Sequence, residues 1–88
     1  MAELNELYPI LEDMLAHAEL NNRGEVIGLS EVLSKLTLEI YHEPQTPLES
    51  LYDYCAVSCF MSVSAPENRV RYLFEARKSF SEIPLPYD

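Results

Sequence analysis

The chain has 88 residues, 6 Lys and Arg against 15 Asp and Glu, a formal net charge of −9 and 48% hydrophobic residues. That length holds one domain, and the apolar fraction is that of a folded protein rather than a disordered acidic tail. No run approaches the ~20 apolar residues of a membrane span, the acidic first residues lack the character of a targeting segment, and the shortage of cations argues against direct binding to a nucleic-acid backbone.

Over residues 4–22, Leu4, Leu7, Tyr8, Leu11, Met14, Leu15 and Ala18 recur at spacings of three and four. This predicts an amphipathic helix with Glu6, Glu12, Asp13 and Glu19 on its wet side. Pro9 is compatible only if it falls in the first turn, where its missing N–H has no intrahelical partner to lose. Gly24 is the expected left-handed residue that ends this helix. A second helix is expected from residue 25 or 30 to 42, with Val26, Leu29, Leu33, Leu36 and Ile40 as its seam. Ser30 is the cap if the start is late, and Pro44 stops the helix because it disfavours a helical residue before it.

Thr46-Pro47-Leu48-Glu49 is the clearest local signal in the chain. Thr46 caps, Pro47 takes the first helical position, and Glu49 reaches back to close a capping box. The third helix runs on to about residue 62 or 63. Leu48, Leu51, Tyr52, Tyr54, Cys55, Val57, Cys59, Phe60, Met61 and Val63 cover most of its circumference, the pattern of a central, buried helix. Alternation over 56–64 leaves a strand as the second reading of that stretch. Ser64-Ala65-Pro66-Glu67 repeats the capping pattern and opens a fourth helix to about residue 81. Val70, Leu73, Phe74 and Phe80 mark its apolar side, with Arg77 on the same face. Pro84-Leu85-Pro86-Tyr87-Asp88 is expected to be extended and to lie against the bundle through Leu85 and Tyr87. The fold class is therefore all-α: a compact, single-domain antiparallel four-helix bundle over 1–83, followed by an extended tail over 84–88.

Charge is unevenly placed. Arg23 and Lys35 are the only cations before residue 67. After it, Arg69, Arg71, Arg77 and Lys78 balance Glu67, Glu75, Glu82 and Asp88, so the surplus of −9 belongs to the first three helices. The four late cations are expected to pair with Glu residues of neighbouring helices.

Candidate chemistry is sparse. Glu39 and His42 have the Glu-x-x-His spacing of di-metal bundles, but the motif occurs once and at a helix end, where a histidine complements the helix dipole. Asp13 and His17, four apart, read as a surface ion pair. Cys55 and Cys59 read as two small core hydrophobes, and a chain with only these thiols suits a reducing cytoplasm. No Gly-x-Ser-x-Gly, P-loop or dinucleotide fingerprint is present, so no catalytic residue, metal ligand or cofactor is assigned. A small acidic helical domain without catalytic machinery is expected to be a non-enzymatic protein-binding module. Its most concrete form is an inhibitor of a basic macromolecular site, as an immunity protein is for a nuclease-type toxin or a phage-encoded protein is for a host defence complex. Glu12, Asp13, Glu19, Glu31 and Tyr54 are the expected partner contacts. Two alternatives stand beside it. One is a homodimeric regulatory or structural protein that buries Ile10, Leu20, Leu38 and the apolar circumference of the third helix against a second copy; the other is a metal-binding helical protein using Glu39 and His42.

Overall fold

Four helices follow the apolar repeats in the computed structural model, which describes residues 3–85. They are α1 (Leu7–Glu19), α2 (Arg23–Ile40), α3 (Pro47–Ser64) and α4 (Arg69–Glu82). Short 3₁₀ turns, Leu4–Glu6 and Pro66–Asn68, lead into α1 and α4. The bundle is all-α, with no strand among the described residues, and the alternating stretch 56–64 lies inside α3. No helix among the described residues is long and apolar enough to cross a membrane.

The helix ends depart from expectation in instructive ways. Because the first residues form a 3₁₀ turn, α1 begins at Leu7 and Pro9 falls in its first turn. Gly24 does not end α1. Asn21 does, at φ 56°, while the Asn22 N–H donates to the His17 carbonyl at 2.8 Å and the Asn21 N–H to the Ala18 carbonyl at 3.0 Å. This is a Schellman closure, with Asn supplying the left-handed residue. The reversal is complete by Asn22, so α2 starts at Arg23, Gly24 falls in its first turn and Gly28 in its interior, both facing open space. Ser30 is likewise no cap: it sits inside α2, and its hydroxyl donates to the Ile27 carbonyl at 2.8 Å. At the far end of α2, His42 adopts φ 64° and its N–H donates to the Thr37 carbonyl at 2.7 Å.

The Thr46 cap forms as read, with Thr46 Oγ1 accepting from the Glu49 N–H at 3.1 Å. The return bond is displaced by one residue, because Glu49 Oε1 accepts from the Gln45 N–H at 2.8 Å. The second capping pattern does not form. An N-cap needs extended backbone, whereas Ser64 is still helical as the last residue of α3, and its buried Oγ finds no partner.

The core draws Leu7, Leu11, Met14 and Ala18 from α1, but only Val26 and Leu33 from α2. Helix α3 adds Tyr52, Cys55, Cys59 and Val63, and it touches each of the other helices. It is not apolar-buried all round, however: Tyr54, Val57 and Phe60 face outward. The row that α3 sets against α4 is built of small residues, Cys55, Ser58, Cys59 and Ser62, met by Ala76 and Ser79. Small side chains let two backbones approach closely, and the Ser62 and Ser79 hydroxyls are satisfied within their own helices. Ser62 donates to the Cys59 carbonyl at 2.7 Å and Ser79 to the Glu75 carbonyl at 2.8 Å.

In α4 the inward row is Leu73, Ala76 and Ser79, with Phe80 half-buried and 4.9 Å from Tyr8 between ring centroids. Val70 and Phe74, expected on the apolar side, are exposed together with Arg77. The core lies on one side of α4 only, and those residues fall on the other. Leu85 is also exposed rather than laid on the bundle, and among the described residues Ile83 is the last apolar side chain to enter the core. Tyr87 lies outside the described residues. Ile10 packs against the core, whereas Leu20 and Leu38 face solvent.

Gly28→Ala should raise stability by about 0.8–1.0 kcal/mol, the propensity difference at an open helix interior, read by urea denaturation. Thr46→Ala should lower it by about 0.5–2 kcal/mol through the lost cap. Leu11→Ala, at a fully buried site, should cost about 2–5 kcal/mol.

Candidate functional site

Burying an ionised carboxylate is expensive unless a cation meets it. Every acidic side chain among the described residues is accordingly exposed except Glu49, Asp53 and Glu75, which are half-buried. One ion pair forms among the described residues, between Arg77 Nε and Glu19 Oε2 at 3.0 Å. Arg69 reinforces it, donating from Nη2 to the Glu19 carbonyl at 3.0 Å and from Nη1 to Asn21 Oδ1 at 3.3 Å. Two arginines of the α4 segment thus grip the last turn of α1, where their charge also complements the helix dipole. The Arg77 guanidinium holds the Glu19 carboxyl below its ordinary value.

The residues expected to contact a partner are therefore in different states. Glu19 is engaged within the bundle. Glu12 and Glu19 share a shallow groove of about 490 Å³ with Leu15, Leu20 and Phe80, between α1 and α4. Asp13 is exposed on α1, and Glu31 is exposed on α2. The Tyr54 hydroxyl donates to Glu75 Oε1 at 2.9 Å, joining α3 to α4, and that bond raises the phenol above its ordinary value. Only Glu12 and Glu19 are brought together in that groove; Asp13, Glu31 and Tyr54 are not part of its lining.

Other candidates take structural places. Asp13 forms no ion pair with His17, whose Nδ1 instead accepts from Asn22 Nδ2 at 3.3 Å, since the closure at Asn21 brings Asn22 back over the last turn. Glu39 and His42 are both exposed at the end of α2. Among the described residues no three of His, Cys, Asp and Glu gather as a metal site. Cys55 and Cys59 are buried free thiols; Cys55 donates to the Ala76 carbonyl at 3.6 Å. A hydrogen bond with Cys55, together with burial, pushes the Cys59 thiol far up. Raised in this way, a thiol is a poor nucleophile and metal ligand.

The second surface feature, a furrow between α2 and α3, was not anticipated. Leu33 and Ala56 lie in it, Ser30, Ser34 and Thr37 line its α2 side, and its volume is about 230 Å³. A neighbouring depression of about 280 Å³ includes Pro44 and Tyr54, and Asp53 and Val57 belong to both. The Tyr41 hydroxyl donates to Asp53 Oδ1 at 3.3 Å. Burial first, and then the Asp53 carboxylate, push the Tyr41 phenol well above its ordinary value. Ser30, Ser34 and Thr37 recur at spacings of four and three, a small-residue row that sequence reasoning passed over.

No family model, curated protein or solved structure matches the chain. Residue roles therefore rest on this geometry.

The Glu19–Arg77 pair carries a pH signature. A carboxyl whose value is depressed in the folded state stabilises fully above its unfolded value, and that stability is lost as pH falls through the folded value. Glu19→Gln should therefore lower the melting temperature at neutral pH and flatten its fall on acidification, followed by circular dichroism.

Proposed function

We propose that this protein is a small, non-enzymatic, acidic binding module that occupies a basic site on another protein. Inhibition of a nuclease-type toxin, or of a nucleic-acid-binding defence complex, is its most concrete form. The observation that carries the reading is the unneutralised charge: a surplus of −9 with a single ion pair among the described residues. Such a surface repels itself and tends to destabilise the compact state, while its field accelerates capture of a basic partner. Carboxylates would stand where nucleic-acid phosphates otherwise sit. Glu12, Asp13 and Glu31 are exposed and outside any ion pair among the described residues. Glu19 flanks Glu12 in the α1–α4 groove, and Tyr54 supplies a half-exposed aromatic of the kind that anchors interfaces. The reducing cytoplasm is the compartment this reading assigns, in keeping with two free buried thiols.

A homodimer is the competing reading, and the exposed Leu20 and Leu38 favour it. Light scattering at micromolar concentration separates the two: a monomer is expected, and a dimer would transfer the reading to self-association.

Reversing Glu12 and Asp13 to Lys should leave the melting temperature nearly unchanged. Against nuclease-type toxin domains fixed to a sensor, the wild type should bind with a salt-dependent association rate, and the double reversal should slow it by about tenfold or more. Unfolding of the double variant would show those carboxylates to be structural and remove this surface from the proposal. Absence of binding to every basic domain would overturn it.

A further inference from the structure

Helix α3 turns a row of apolar side chains outward. Tyr54, Val57 and Phe60, each three residues from the next, are 50%, 56% and 37% exposed. Hydrophobic side chains scattered singly on a surface mean little, but Val57 and Phe60 border one furrow, and Val57 and Tyr54 border the depression that continues it. From Ser50 to Phe60 the two span about 15 Å of helix axis at 1.5 Å per residue, nearly three turns. The opposite wall comes from α2, where Ser30, Ser34 and Thr37 flank Leu33, whose side chain is buried at the base of the furrow. The Ser30 and Thr37 hydroxyls already donate to the Ile27 and Ser34 carbonyls. Those two hydroxyls therefore demand no hydrogen bond from whatever lies on the wall, while Ser34 between them is exposed.

Asp53 is common to both depressions and gives the surface its sign. It is half-buried, the Tyr41 hydroxyl holds Oδ1, and no Lys or Arg pairs with it among the described residues. Arg23 and Lys35 are the only cations on α2 and α3, and neither lines the furrow. An apolar or acidic occupant would cover this carboxylate and leave it desolvated without a counter-charge, a costly arrangement. A second copy would bring another −9 to the contact. A helix bearing apolar anchors beside Lys or Arg satisfies both the row and the carboxylate.

We propose that the α2–α3 furrow seats a basic amphipathic helix of the partner protein, its apolar face on Val57 and Phe60 and a Lys or Arg on Asp53. This rests on the reading of the protein as a binder of basic partners and adds the place and the secondary structure of the recognised segment. Recognition is then of the helix-in-groove kind, with anchors at i, i+3 or i+4, and i+7. Tyr41 acts as a positioning residue, since its hydroxyl orients the carboxylate from behind.

The probe is a short synthetic helix of Leu and Lys with one Trp on its apolar face. The protein has no Trp, so indole emission reports the probe alone. Titration should give a one-to-one complex with a blue-shifted emission that weakens with salt. Val57→Glu, at an exposed position, should weaken binding by about tenfold or more by setting a second carboxylate against the apolar anchor. Val57→Ser should act in the same direction should the Glu variant disturb packing. Asp53→Asn keeps an acceptor for Tyr41 and should also cost about tenfold. Glu67→Lys, an exposed charge reversal in the turn before α4, should change little, and a Leu/Glu version of the probe should not bind.

Binding that is insensitive to Val57 and Asp53 but lost on reversing Glu12 and Asp13 would overturn the furrow and leave the acidic-binder reading standing. Absence of salt-dependent binding to the wild type would overturn both. Self-association abolished by Val57→Glu would assign the furrow to a second copy and also overturn the proposal.

Discussion

A chain with a surplus of nine negative charges folds only if apolar burial outweighs the repulsion among them, and α3 is where that burial concentrates. It contacts every other helix, and its inward row is made mostly of Cys and Ser, with Tyr52 and Val63 at its ends. Close approach replaces bulk. Cys55, Ser58, Cys59 and Ser62 let α4 settle against α3 through Ala76 and Ser79, and Cys55, Ser62 and Ser79 bond to carbonyls already in reach. Interiors are close-packed, so exchanging any of these small residues for a larger one forces neighbours off their rotamers. Helix α1 closes the other side with Leu7, Leu11, Met14 and Ala18, while α2 contributes only two buried residues and is the most lightly held element.

That asymmetry shapes the surface. The α4 segment carries four cations and places two of them on the end of α1, so the α1–α4 side is stitched by Arg69 and Arg77 as well as by Tyr8 against Phe80. On the α2–α3 side there is no comparable bridge beyond Tyr41 to Asp53, and small side chains on α2 leave the furrow open. Helices α2 and α3 carry Glu25, Glu31, Glu39, Glu49 and Asp53 against Arg23 and Lys35, so the open side is net acidic. Exposed apolar side chains and a carboxylate without a cationic partner among the described residues thus occur together there, and the proposed docking rests on that pairing.

Much of the fold was legible along the chain. Spacings of three and four located all four helices, and Thr46-Pro47-Leu48-Glu49 located the start of α3, because caps and first-turn prolines act within one turn of backbone. Gly24 was misread because glycine is only the commonest left-handed residue. Asn21 can adopt the same backbone, and the His17 carbonyl was placed to accept the closing bond. Ser64 was misread because the same four-residue pattern caps a helix only where the backbone is extended, and α3 had not yet ended there. Of the candidate site, the acidic residues were legible as exposed, yet their states were not. Whether Glu19 meets Arg77, or Tyr54 meets Glu75, depends on which helices lie side by side, across 58 and 21 residues of chain.

Composition and periodicity by themselves determined an all-α chain, its approximate helix bounds and a charge surplus confined to the chain before residue 67. Tertiary structure alone decided that α3 shows Val57 and Phe60 to solvent, that α4 turns Val70 and Phe74 away from the core, and that Asp53 sits in a furrow behind Tyr41. A helix apolar around most of its circumference does not encode which arc its neighbours cover. That is settled only when the helices assemble and compete for the same buried volume.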